Sequence, residues 1–146
     1  MKKSKSKGAE LRIGPQPGPQ LEFLRCNVDV GFYGGSAGSG KSFGLLLEQC
    51  YHTHNRQYRG VIFRRTVPMI KQPGGLWDTS QQVYPLLGAT ANQSGLEWRF
   101  RSGATVKFAS MELENDCYSW QGSQIAGLSF DELAGVHGKA ILVPSQ

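Results

Sequence analysis

A chain of 146 residues with 39% hydrophobic content is long enough to bury one core, so one domain is expected. No apolar run approaches the ~20 residues of a membrane span, and the lysine-rich N-terminus lacks the apolar stretch of a secretory signal. The net charge of +5 excludes an acidic chain, and three widely spaced cysteines (Cys26, Cys50, Cys117) exclude a paired zinc spacing and read as reduced, cytoplasmic thiols.

Residues 1–18 are Lys/Ser-rich and then Gly/Pro-rich, which predicts a flexible tail; residues 19–146 are expected to form the ordered domain. Val28 to Tyr33 ("VDVGFY") predicts a short strand that stops at Gly34-Gly35. From Lys41, "KSFGLLLEQCYH" predicts a helix with Leu45, Leu46 and Cys50 on its apolar face and Gly44 as its weak point. "GVIFRRT" predicts a second strand, and "GGLWDTSQQVYPLL" a helix broken near Pro85. "LEWRF" and "TVKFAS" flank "RSGA" as a hairpin with glycine in its turn. "MELENDCYSW" predicts a short helix, and "QIAGLSF" a last strand that ends on Asp131 and Glu132. Strand–helix–strand alternation predicts an α/β domain with a mainly parallel sheet.

Two motifs carry chemistry. Gly35, Ser36, Ala37, Gly38, Ser39, Gly40, Lys41 and Ser42 fit the phosphate loop G-x-x-x-x-G-K-[ST] at every fixed position. A triphosphate needs several backbone N–H groups converging on its oxygens, and glycines allow that curl. The helix opening at Lys41 points its positive end at the same anion. In this reading Lys41 reaches the β- and γ-phosphates of ATP, and the Ser42 hydroxyl ligates Mg²⁺. The second motif is Asp131-Glu132 behind an apolar strand, the arrangement of a Walker B element. Asp131 is expected to hold Mg²⁺ and Glu132 to polarise an attacking water. The acidic pair favours ATP hydrolysis, and no Asn-Lys-x-Asp guanine signature occurs in the chain.

Charge is segregated. Between residues 56 and 107 eight bases (Arg56, Arg59, Arg64, Arg65, Lys71, Arg99, Arg101, Lys107) face two acids (Asp78, Glu97), a local +6. From 108 to 132 there are five acids and no base. The basic middle suits a polyanion such as nucleic acid or a triphosphate; a solvated surface is the competing reading.

The string "FRRT…LWDTSQQVYP…WRFRSGATVKF…YSWQGSQIAGLSFDEL" resembles the ATPase region of bacteriophage large terminase subunits. Trp98 to Phe108 match that family's hairpin motif, and Tyr118, Gln121 and Gly122 the element before its Walker B strand. The resemblance covers about residues 19–133. It implies an ASCE-type P-loop NTPase fold with an inserted β-hairpin, hydrolysing Mg²⁺-ATP to drive double-stranded DNA into procapsids. It also implies the small terminase subunit and portal protein as partners, a homo-oligomer, and the host-cell cytoplasm. In that family a glutamine element before the phosphate loop contacts adenine; "PQLEFL" matches it and nominates Gln20. Many relatives carry an arginine inside the loop where this chain has Ser36 and Ala37, so Arg64, Arg65, Arg99 and Arg101 remain as intramolecular candidates, beside a neighbouring subunit.

After Leu133 the expected helix and coupling strand give way to "AGVHGKAILVPSQ". The expectation is therefore a C-terminally truncated ATPase domain without the nuclease domain, with Asp131 on an exposed sheet edge. A nucleotide-binding but inactive prophage remnant and a helicase-like P-loop ATPase are the alternatives. His52 and His54 lack a third metal ligand nearby, and His137 lacks informative partners. Trp77, Trp98 and Trp120 read as packing residues rather than base-stacking platforms.

Overall fold

The computed structural model describes residues 12–34 and 40–132. Residues 12–18 form no helix or strand, yet Ile13 packs against the core. Helix α1 (Pro19–Arg25) opens on proline, whose fixed φ suits a first helical turn. Helix α2 (Lys41–Cys50) follows, then β1 (Arg59–Arg64). Helix α3 (Val67–Lys71) is capped by the Thr66 hydroxyl, which accepts from the Met69 amide, and has Pro68 in its first turn. Helix α4 (Leu76–Val83) runs into a 3₁₀ turn at Tyr84–Leu87, where Pro85 breaks the α-helical ladder as expected. Strands β2 (Thr90–Asn92), β3 (Glu97–Arg99) and β4 (Thr105–Ser110) precede a 3₁₀ helix over Glu114–Trp120, and β5 is Gly127–Phe130.

The strands form one sheet in the order β2-β3-β4-β1-β5. β1 pairs parallel with β4 and with β5, whereas β2–β3 and β3–β4 are antiparallel. The sheet is thus mixed, half of its pairings antiparallel, and not the mainly parallel one expected. The hairpin β3–β4 and its extension β2 account for the difference, because adjacent strands joined by short turns must run antiparallel.

The expected strand at Val28–Tyr33 is absent. Those residues have no regular structure and bend at Asp29 and Val30, with Val28, Val30 and Phe32 exposed, 82% in the case of Phe32. A strand needs a partner for its backbone groups, and among the described residues none lies beside this segment.

The core lies between the sheet and the α2/α4 layer. Trp98 on β3 packs on Trp77 (ring centroids 5.4 Å) and on Tyr84 (5.7 Å), and its indole N–H donates to the buried Ser80 hydroxyl at 2.9 Å. The Tyr84 hydroxyl donates to the Leu46 carbonyl at 3.0 Å, joining the 3₁₀ turn to α2. The opposite face is covered by Trp120, edge-on to Phe63 at 5.0 Å and beneath the Lys107 ammonium. Trp77 and Trp98 therefore serve the core, as expected.

A polar knot locks α2 to the sheet. Gln49, fully buried, donates to the Ser129 hydroxyl on β5 at 2.9 Å and accepts from the Tyr58 hydroxyl at 2.7 Å. A Cβ on Gly60 would overlap the Gln49 carboxamide, and one on Gly127 the Tyr58 hydroxyl, so both strand glycines are demanded by close approach. Glu48 accepts from Gln49 at the rim of this knot. Burial raises its carboxyl pKa, with His52, Ser129 and Gln49 opposing. An acid whose folded-state pKa lies above its unfolded value stabilises the fold below the unfolded value and loses that contribution as pH rises through the folded one. Glu48→Gln is therefore expected to raise the melting temperature at pH 7, and the gain should shrink as pH falls towards the ordinary carboxylate range. A melting gap that does not change with pH would contradict this assignment.

Candidate active site

Of the sequence-nominated residues, Ser42, Asp131 and Glu132 come together at the C-terminal ends of the parallel strands β1 and β5, and Gln20 bonds Gly40 at the start of α2. Gly40 caps α2 with φ +73°, a left-handed conformation that a side chain resists. Lys41 and Ser42 are the first two residues of α2, both half-buried. Gly35, Ser36, Ala37, Gly38 and Ser39 lie outside the described residues.

Asp131 directly follows β5, and its amide donates to the Phe63 carbonyl at 2.8 Å, extending the ladder to β1. Although β5 is an edge of the described sheet, Asp131 is only 3% exposed, so the expected exposed edge position is corrected. The burial comes from α2, because positions 127, 129 and 131 alternate onto the face that α2 covers. There the Ser42 hydroxyl donates to Asp131 Oδ2 at 2.9 Å, across 89 residues of sequence.

Glu132 lies next to Asp131 with φ +59°, and its Oε1 accepts from Arg64 Nη2 at 2.9 Å. Arg64 is the last residue of β1 and is buried; its Nη1 donates to the Met69 carbonyl and stands 3.7 Å from Asp131 Oδ2. Of the four arginines considered from sequence, Arg65, Arg99 and Arg101 are exposed, and Arg64 alone of these reaches the acids. Sequence reasoning could not rank them. The usable signal was that Arg64 ends an apolar strand, as Asp131 does.

Gln20 is 2% exposed on α1, and its amide donates to the Gly40 carbonyl at 2.8 Å while its oxygen accepts from the Gln16 amide. The side chain thus braces the end of the glycine-rich loop. The other candidates stay apart from the centre. His54 Nδ1 lies 2.9 Å from the Tyr51 carbonyl and His52 packs on Tyr58. His137 lies outside the described residues. Burial, assisted by Glu48, pushes the Cys50 thiol up to about 12, which keeps it protonated and unreactive at neutral pH. Among the described residues no group of three or more His, Cys, Asp or Glu is placed to hold a metal by protein ligands alone, and no helix is long and apolar enough to cross a membrane.

A hydroxyl, two carboxylates and a buried guanidinium gathered at the carboxyl ends of parallel strands define a mixed α/β protein with a polar centre where such sheets bind ligands. The chain belongs to the family described as terminase large subunit, T4likevirus-type, N-terminal, which matches residues 32–142. The match starts after Gln20 and continues past Leu133, where a departure from the family pattern was expected. Membership ties the chain to phage DNA packaging. No curated protein and no solved structure matches the chain.

Proposed function

We propose that the chain binds Mg²⁺-ATP on a P-loop NTPase-type α/β scaffold and supplies the hydrolytic site of a DNA-packaging motor. The observation that carries this reading is the Ser42–Asp131 hydrogen bond, which unites the two sequence motifs at one place. A serine hydroxyl and a carboxylate side by side are hard oxygen donors, the chemistry Mg²⁺ prefers when phosphate and water complete its shell. Bound Mg²⁺ would neutralise charge on the phosphates. Ser42 and Asp131 would hold the metal, Lys41 would balance the β- and γ-phosphate charge, and the amides of the Gly35–Gly40 stretch would supply donors to the oxygens. Glu132 would accept a proton from the attacking water as the water oxygen bonds the γ-phosphorus and the bond to ADP breaks, and Gln20 holds the loop end through the Gly40 carbonyl. Double-stranded DNA is the substrate of the motion, with small terminase, portal protein and further copies of the chain as its partners in the host cytoplasm.

The test is steady-state phosphate release. Glu132→Gln is expected to lower kcat by about 10²- to 10⁴-fold with Mg²⁺-ATP affinity kept, the range of a lost general base. Turnover unaffected by the substitution would refute hydrolysis at this site. Binding of Mg²⁺-ATP without measurable release by the parent chain would leave a nucleotide-binding module.

A further inference from the structure

We propose that Arg64 is the positioning residue of this centre: its guanidinium bridges Glu132 and Asp131 and fixes the Glu132 carboxylate beside the Ser42–Asp131 pair. The inference rests on the hydrolysis reading above and adds the residue that sets the geometry of its base. Arg64 is well anchored. Its backbone belongs to β1, flanked by β4 and β5, and its carbonyl accepts from the Met111 amide at 3.0 Å. The head is held at three points: Glu132 at 2.9 Å, the Met69 carbonyl at 3.2 Å, and Asp131 at 3.7 Å. With 7% of the residue exposed, such a charge is tolerable only because carboxylates face it.

Two further observations separate this from an ordinary structural ion pair. Arg64 Nε is buried with no hydrogen-bond partner among the described residues, so the head is placed to meet the acids at the expense of its own satisfaction. Glu132 has a backbone conformation that L residues resist, and its side chain is 47% exposed, so burial does not hold it inward. The Arg64 contact supplies that restraint. A planar fork spreads its donors over three nitrogens in a fixed plane and so spans two carboxylates and a carbonyl; a lysine ammonium gathers its three donors on one atom and does not reproduce that spread.

The experiment uses the full chain with Arg64→Lys, Glu132→Gln and the double substitution, each first checked for a melting transition. In the nucleotide-free protein, hydrogen exchange is followed at the Asp131 amide. Each single substitution should speed exchange about tenfold, and the double no more than either one, because both remove the same restraint. Independent, multiplying accelerations would overturn the proposal. With Mg²⁺-ATP, Arg64→Lys should lower kcat about a hundredfold, the scale of a misplaced catalytic group, while calorimetric affinity stays within about threefold. An unchanged kcat, or a loss wholly in affinity, would also overturn it. If Glu132→Gln spares phosphate release while exchange remains coupled, the hydrolysis reading fails, and with it the catalytic purpose of the clamp. Uncoupled exchange with Glu132-dependent release overturns the clamp and leaves hydrolysis standing.

Discussion

Lys41→Ala is expected to weaken Mg²⁺-ATP binding about a hundredfold, or ~2.7 kcal/mol, while the melting temperature moves by only about 3 °C. Lys41 opens α2 one residue before the serine that bonds Asp131, so its backbone lies at the same end of the helix as that contact. A helix N-terminus by itself contributes roughly 0.3–1 kcal/mol to an anion. That contribution survives the substitution, so the loss comes from the charge-assisted contacts of the ammonium, worth about 1.5–3 kcal/mol each. Calorimetry of both proteins with Mg²⁺-ATP, beside melting curves, checks the claim. Equal affinities would remove Lys41 from the site, and a collapsed melting transition would make its role structural.

The largest effect on folding is expected at Trp98. It is 2% exposed, meets Trp77 and Tyr84, and spends its indole N–H on Ser80. Trp98→Ala should cost about 3–5 kcal/mol, a large share of the ~5–15 kcal/mol available to a domain of ordinary stability. Trp98→Phe keeps most of the packing and gives up the hydrogen bond, so about 1–2 kcal/mol is expected. Urea unfolding followed by circular dichroism gives both numbers. A loss below about 1 kcal/mol for the alanine variant would mean that the hairpin is not anchored through this ring.

Much of the local structure was legible because its causes are local. The start of α2 follows from a glycine-rich approach to an amphipathic run, and the end of α4 from Pro85. The β3–β4 hairpin follows from alternation on either side of Gly103, whose φ of +98° the turn requires. Helix α3 carries its own start signal, because Thr66 before Val67-Pro68 is an N-cap signature, but at five residues it is too short to show a helical period. The failed strand at Val28–Tyr33 has a different cause. Its composition suits a strand, but β-propensity records fit to a half-buried sheet surface, and here no neighbouring strand provides one.

The same division runs through the site. Sequence alone determined which residue types are nominated for chemistry, since phosphate-loop spacing and an acid pair at a strand end are local patterns; the terminase resemblance, too, was readable from ordered motifs. Only the tertiary structure decided which of them meet. Ser42 and Asp131 touch because α2 packs across the face where β5 ends, a relation set by the Gln49 knot and by glycines at 60 and 127 that let it close. Arg64 stands out from three exposed arginines because the parallel pairing of β1 with β5 ends both strands at one level, Phe63 opposite Phe130. Register and burial are properties of pairs of distant segments, and a pattern along one segment does not encode which partner it finds.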